Sequence, residues 1–133
     1  MSSVTTIKAR EKFAKAHAEG LPVPKVTQVG WGTGGVDVNS IVIPPKNTQT
    51  IVEGEFLRKP IDSVTYPNSD LGDYKSIKYT MTISPNDEGA LGKEVSSCGL
   101  YDETGDLIAV KNFGKKLIDA DTTDIEVSWI ETF

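Results

Sequence analysis

Residues 77–84 read Ile-Lys-Tyr-Thr-Met-Thr-Ile-Ser. Ile77, Tyr79, Met81 and Ile83 alternate without exception with Lys78, Thr80, Thr82 and Ser84. A period of two puts the four apolar side chains on one face of a strand and the four polar ones on the other, so this stretch predicts a sheet element with one face buried and one wet. Pro85-Asn86-Asp87-Glu88-Gly89 then ends it with turn residues.

Working outward, residues 124–131 alternate again, with Ile125, Val127 and Trp129 on one face. Residues 95–101 and 107–112 flank Asp102-Glu103-Thr104-Gly105-Asp106, and acidic turn residues followed by a glycine placed for positive φ predict a hairpin. Residues 24–30 predict a strand, which Gly30-Trp31-Gly32-Thr33-Gly34-Gly35 breaks as a loop. Residues 49–58 predict a strand with a bulge at Gly54, and residues 61–66 a shorter one. Residues 33–48, with Pro44 and Pro45 adjacent, predict a long irregular loop or arm.

The first twenty residues predict a helix, capped by Ser3, Thr5 or Thr6 and stopped at Gly20. Ala9, Phe13 and Ala16 fall at i, i+4 and i+7, a narrow stripe of small residues around one Phe. That stripe fits a core face and a subunit interface equally. The sum is a mainly β, α+β domain over residues 1–133. A helix over 1–20 precedes an antiparallel β-sandwich-like body over 21–133 with about seven strands.

The chain has 133 residues, the size of one domain, with 14 Lys+Arg against 19 Asp+Glu and a net charge of -5. An acidic chain is a poor nucleic-acid binder, because phosphate neutralisation needs clustered cations. The charge is uneven: residues 1–60 hold 8 basic and 5 acidic groups, residues 61–133 hold 6 and 14. Two such surfaces suit neighbours of opposite sign. No apolar run approaches the ~20 residues of a membrane span, so no membrane insertion is expected. The segment MSSVTTIKAREKF has no signal-peptide pattern, which predicts synthesis in the cytoplasm.

Few residues invite chemistry. The single Cys98 excludes an internal disulfide, and it sits in a strand where a buried, inert thiol is expected. The single His17 leaves too few soft ligands for zinc and reads as a helix-end surface residue. Residues 30–35 resemble a phosphate-cradling loop in glycine content but lack its Lys-Ser/Thr pair and a following helix, so a bending turn is expected, with Trp31 packed or exposed at an interface. Asp70, Asp73, Asp87 and Glu88 lack the spacing of a calcium loop, and Asp119, Asp121 and Asp124 read as a solvated approach to the last strand. No catalytic residue, metal or cofactor is therefore expected, and a binding or structural role is favoured. Trp31, Tyr66 and Tyr74, in or beside loops, also suit a carbohydrate-binding sandwich for recognising a host surface.

Two segments in order, residues 15–35 (KAHAEGLPVPKVTQVGWGTGG) and 98–110 (CGLYDETGDLIAV), resemble the N-terminal domain of tailed-phage tail-collar and tail-fibre proteins. Gly30, Gly32, Gly99, Leu100, Tyr101, Asp102, Gly105 and Leu107 carry the likeness, whereas Ser97 and Cys98 stand where that family commonly has an acidic and an apolar residue. The resemblance implies a virion structural protein of a phage or a phage-tail-like particle (a tailocin), made in the host bacterium and joining a receptor-binding fibre to the tail baseplate. It implies baseplate or fibre proteins as partners and a homo-oligomer, with a trimer favoured. Ala9, Phe13, Ala16 and Trp31 are the candidate interface residues on this reading.

Overall fold

The computed structural model of the protein describes residues 2–121 and 124–133. Its strands are β1 (Ser2–Thr5), β2 (Val26–Gly32), β3 (Glu55–Pro60), β4 (Ser63–Thr65), β5 (Ser76–Ile83), β6 (Glu94–Asp102), β7 (Leu107–Leu117) and β8 (Ile125–Thr132). One helix, α1 (Ile7–Glu19), lies between β1 and β2, and a single 3-10 turn spans Ser69–Leu71. The strands form two antiparallel sheets, one of five in the order β1-β7-β6-β2-β3 and one of three in the order β4-β5-β8. The fold is mainly β with one helix, a sandwich-like α+β architecture.

The expected alternation in β5 is present. It pairs with β8 in unbroken register from Ser76 opposite Thr132 to Ile83 opposite Ile125. Tyr79, Met81, Ile83, Val127 and Trp129 are buried and meet Val29, Trp31, Cys98, Leu100, Ala109 and Phe113 from the large sheet. Sheet-on-sheet burial of these side chains is the main core. The predicted hairpin joins β6 to β7, and Gly105 at its turn has φ 91°, in the left-handed region that favours glycine.

Three boundaries and the strand count differ from the sequence expectation. The helix does not fill residues 1–20: residues 2–5 pair with Ala109–Asn112 of β7 as an edge strand, and α1 begins after Thr6. Thr6 is fully buried; its Oγ1 accepts from Ala9 N at 3.2 Å and donates to Leu107 O at 2.6 Å. The cap therefore fastens the helix to the sheet while satisfying a first-turn N–H. Gly20 closes the helix as expected, at φ 70°. β2 runs on through Trp31 and Gly32 instead of stopping at Gly30. Residues 49–54 are turn and loop rather than strand, with Gly54 at φ 66°. β1 brings the strand count among the described residues to eight.

Of residues 30–35, Gly30 and Gly32 lie within β2, and the expected turn is confined to residues 33–35. From there the loop of residues 33–54 folds back across the outer face of the large sheet, close over its glycines. A Cβ on Gly32 would stand 2.4 Å from Glu53 O, one on Gly35 2.0 Å from Ser96 O, and one on Gly99 2.6 Å from Val52 Cγ2. Val52, Tyr101, Leu107 and Val110 form a second buried cluster there, with Val4 packed against it. The large sheet is thus covered on both faces, and β6 is buried from Val95 to Asp102. Residues 33–48 are a largely exposed loop anchored to the sheet rather than a free arm. Gly35 N donates to Ser96 Oγ at 2.8 Å, and Asn112 Nδ2 donates to Ile43 O at 2.7 Å.

Candidate functional site

The two sheets do not close on each other at the end where α1 sits. A cavity of about 640 Å³ opens there, between the start of β2, the ends of β4 and β8, the start of β5 and the helix. Phe13, Val26, Ile61, Ile77, Tyr79 and Leu100 supply its apolar walls, and the exposed Val64, Tyr66 and Phe133 line it as well. Its size falls in the roughly 300–1,000 Å³ range of small-molecule sites.

Of the four charged residues on its lining, Lys12, Lys25, Asp102 and Glu131, two are held in different ways. Lys12 of α1 is fully engaged: its Nζ lies 2.5 Å from Asp102 Oδ2 and 2.7 Å from Asp106 Oδ2, and donates to Thr104 Oγ1 at 2.8 Å. Burial works against both charges of the Lys12–Asp102 pair, but their mutual bonds outweigh it, holding Lys12 above and Asp102 below its ordinary value. Asp102 also accepts from the backbone N–H groups of Thr104 and Asp106, so one carboxylate ties the helix to the β6–β7 turn.

Glu131 is the second group. It follows Ile125, Val127 and Trp129 at the same period of two, so it occupies a position on the buried face of β8. Its Oε1 accepts from Trp129 Nε1 at 2.7 Å, and among the described residues it forms no ion pair within 4.0 Å. Burial raises its affinity for a proton, opposed by the indole N–H and by Lys111. Lys111 comes from β7, with its Nζ 4.7 Å from the ring centroid of Trp129. Tyr79, also on the cavity wall, is pushed up by burial, then by Glu131 and Tyr66.

The residues singled out in the sequence have mixed fates. Gly30 pairs with Gly99, Val29 with Leu100 and Gln28 with Tyr101 across β2 and β6, so the two segments of the family resemblance adjoin in one sheet. Tyr101 is fully buried, its hydroxyl donating to Glu55 Oε1 at 2.5 Å and accepting from Val52 N at 3.0 Å. Arg58 stacks over its ring at 3.6 Å and pairs with Glu55 at 2.9 Å. Burial, then Glu55, push the phenol up to about 12, against the opposing pull of the Val52 N–H and Arg58. Leu107 packs in the outer cluster with Val52 and Tyr101.

As interface residues, Trp31 and Ala9 are corrected: both have 0% exposure within the single chain, so neither presents surface to a partner. Phe13 and Ala16 are half-buried, with Phe13 facing the cavity. Trp31 is equally removed from the set of sugar-stacking aromatics. Tyr66 and Tyr74 remain exposed, edge to face with ring centroids 5.2 Å apart.

Cys98 is buried, and desolvation, partly offset by Lys111, pushes its thiol up to about 12. His17 is exposed near the end of α1. Asp87 accepts from Lys59 Nζ at 3.0 Å and from Ser84 N at 2.9 Å; Asp73 accepts from Lys75 N at 2.9 Å, and Asp119 from Asp121 N at 3.0 Å. Asp73 and Asp119 serve local turns, and Asp87 ties its turn to Lys59 of β3. Among the described residues no group of three or more His, Cys, Asp or Glu side chains is gathered for a metal.

The loop over the outer face carries the other exposed apolar feature. Val36 and Val42 bridge, and between them Asp37 Oδ1 accepts from Asn39 N at 2.8 Å and Ile41 N at 3.0 Å. Ser40 stands at φ 62° in this turn. The result is an ordered tip with Val38 99% and Ile41 62% exposed, followed along the loop by exposed Ile43 and Ile51. Comparisons with family models, with curated proteins and with solved structures match nothing to this chain.

Proposed function

We propose that this protein is a structural connector of a phage or phage-tail-like particle, joining a fibre or receptor-binding protein to the baseplate. The observation that carries the reading is the loop tip at residues 36–42. Its backbone is fixed by the Asp37 carboxylate and the Val36–Val42 bridge, yet it holds Val38 and Ile41 in water. A preordered turn binds without first losing conformational entropy, and exposed apolar side chains on it gain by being covered. The family likeness of residues 15–35 and 98–110 supplies the identity of the assembly, and a homo-oligomer, with a trimer favoured, is part of the proposal.

The test has two arms. Purified tail particles from the producing bacterium should contain the chain, and the isolated protein should oligomerise or bind co-encoded tail proteins in light scattering. Val38→Asp with Ile41→Asp should abolish that association while leaving the circular dichroism unchanged. A monomer at high concentration that binds no tail protein and is missing from particles would refute the reading.

A second reading rests on Tyr66 and Tyr74. Two exposed rings at 5.2 Å offer faces and edges on which a sugar can stack. Binding to host-wall glycans on an array, lost in Tyr66→Ala, would select this reading, and an empty array would remove it.

A further inference from the structure

The cavity beneath α1 combines apolar walls with a carboxylate placed on a core face. A charged residue at a buried-face position is costly unless paired, and Glu131 has one hydrogen bond, from Trp129 Nε1, with Lys111 acting on it only from beyond 4.0 Å among the described residues. The cation nearest the cavity floor, Lys12, is held by two carboxylates 2.5 and 2.7 Å away and is not free to serve a ligand. Lys111 stands over the Trp129 ring and is not a wall residue. Lys25, exposed on the rim, is the remaining cation of the lining. The polar end of the cavity is therefore an acceptor with spare capacity, set among Ile77, Tyr79 and Phe133.

We propose that this cavity is a binding site for a small amphipathic amine, its apolar body between the sheets and its protonated nitrogen donating to Glu131. The bond would be a charge-assisted one in a partly desolvated setting, where such bonds are strongest. Tyr79 and Lys111 are the other titratable groups that interact with Glu131, and Tyr66 lines the same cavity; the other carboxylate of the lining, Asp102, is engaged by Lys12 and does not compete for the cation. The proposal is independent of the connector reading, which rests on the opposite face of the large sheet.

Decylamine, decanol and decanoate share one apolar body and differ in the head, so they separate the head's contribution from simple burial. Trp129 reports the site directly, because its indole N–H donates to Glu131; its proton–nitrogen NMR resonance, assigned against Trp31→Phe, is the readout. We expect decylamine to bind roughly tenfold or more tightly than decanol and to shift the Trp129 resonance, with decanoate weakest. Glu131→Gln should bring decylamine to the affinity of decanol. Val64→Trp, a change at a mouth residue 53% exposed, should weaken the two that bind without touching the core. Equal binding of all three heads, a preference for decanoate, a Trp129 resonance unmoved by decylamine, or undiminished decylamine binding to Glu131→Gln would each overturn the proposal. Should Glu131→Gln fail to fold, the ranking of the three probes on the unaltered protein decides it.

Discussion

Replacing Asp102 with Asn removes one charge and almost no volume. Asp102 Oδ1 accepts from Thr104 N at 3.0 Å, Thr104 Oγ1 at 2.6 Å and Asp106 N at 3.1 Å, while Oδ2 receives Lys12. An amide oxygen can keep the first three bonds in weaker, neutral form. Its NH₂ would then face the Lys12 ammonium, donor against donor. Lys12 retains Asp106 at 2.7 Å, which limits the loss. One charge-assisted bond is worth about 1.5–3 kcal/mol, so Asp102→Asn should cost about 2 kcal/mol. In a protein of this size that lowers Tm by roughly 5–8 °C. A double-mutant cycle with Lys12→Met should give a coupling of about 1–2 kcal/mol, above the ~0.2–1 of exposed pairs. The reason is burial: the Asp102 side chain has 0% exposure and that of Lys12 has 18%.

The pH dependence follows from the direction of the shift. The folded protein holds Asp102 below its ordinary value of 3.8, so this carboxylate's contribution is complete above that value and fades as pH falls through the lower, folded one. Urea denaturation of the wild type and Asp102→Asn at a series of pH values should therefore show a constant gap near neutrality that narrows below pH 3.8. A coupling under about 0.5 kcal/mol at pH 7, or a gap that widens on acidification, would refute the assignment of this pair as the tie between helix and hairpin.

Other consequences are more direct. Tyr101→Phe strips the side-chain acceptor of the buried Val52 N–H at 3.0 Å; we expect a loss of about 1–3 kcal/mol and faster hydrogen exchange at Val52. Gly99→Ala forces a Cβ to 2.6 Å from Val52 Cγ2 and 2.7 Å from Leu107 Cδ1, and should cost about 1–3 kcal/mol in thermal unfolding. Gly105→Ala meets no neighbour but places Ala at φ 91°, so it should destabilise by a backbone route while leaving the Val52 amide protected. Cys98, buried with its thiol raised to about 12, should resist a disulfide thiol reagent in the native state and react as one thiol in urea.

The parts of the fold that were legible in the sequence are those where one face is wet. β5 and β8 show strict alternation because their outer faces are solvated, and the β6–β7 turn announces itself through Asp102 and Gly105. β2 was not legible beyond Gly30, since glycines in a strand look like a break when their purpose is to let residues 52–53 lie close. β1 was hidden because four residues of Ser, Val and Thr carry no pattern, and only the long β7 gives them a partner. Trp31 was misplaced as an interface residue by the same glycines, which suggested an exposed turn. Glu131 carried a signal that period-two reasoning offers: it is in phase with Val127 and Trp129, so a carboxylate on the core face was visible before any coordinates. The cavity itself was not visible, because it depends on how far the three-stranded sheet extends over the five-stranded one.

The unequal sheets explain why this protein has two candidate surfaces of different kinds. The outer face of the large sheet is covered by a loop that comes within contact of the strands at Gly32, Gly35 and Gly99, with a cavity of about 330 Å³ left where Ile43, Gln49 and Glu53 approach Asn112. The exposed apolar side chains of that loop include Val38 and Ile41 at its tip. The inner face is sealed only where β5 and β8 lie across it, and beyond their ends the helix closes one side of the gap while Val64, Tyr66 and Phe133 stay open to water. A substitution in the glycine contacts therefore acts on stability, because it presses on backbone at Gly32 and Gly35 and on packed side chains at Gly99. A substitution at Val64 or the loop tip acts on binding, because those side chains have room to change. If the two surfaces are coupled, the coupling has to run through β6, whose Leu100 lines the cavity and whose Gly99 and Tyr101 support the loop. Adjacent residues on opposite faces of one strand, in a rigid five-stranded sheet, are a short route between them, so Gly99→Ala should shift the Trp129 resonance slightly if the sheet transmits strain and leave it fixed if the loop alone absorbs the added methyl.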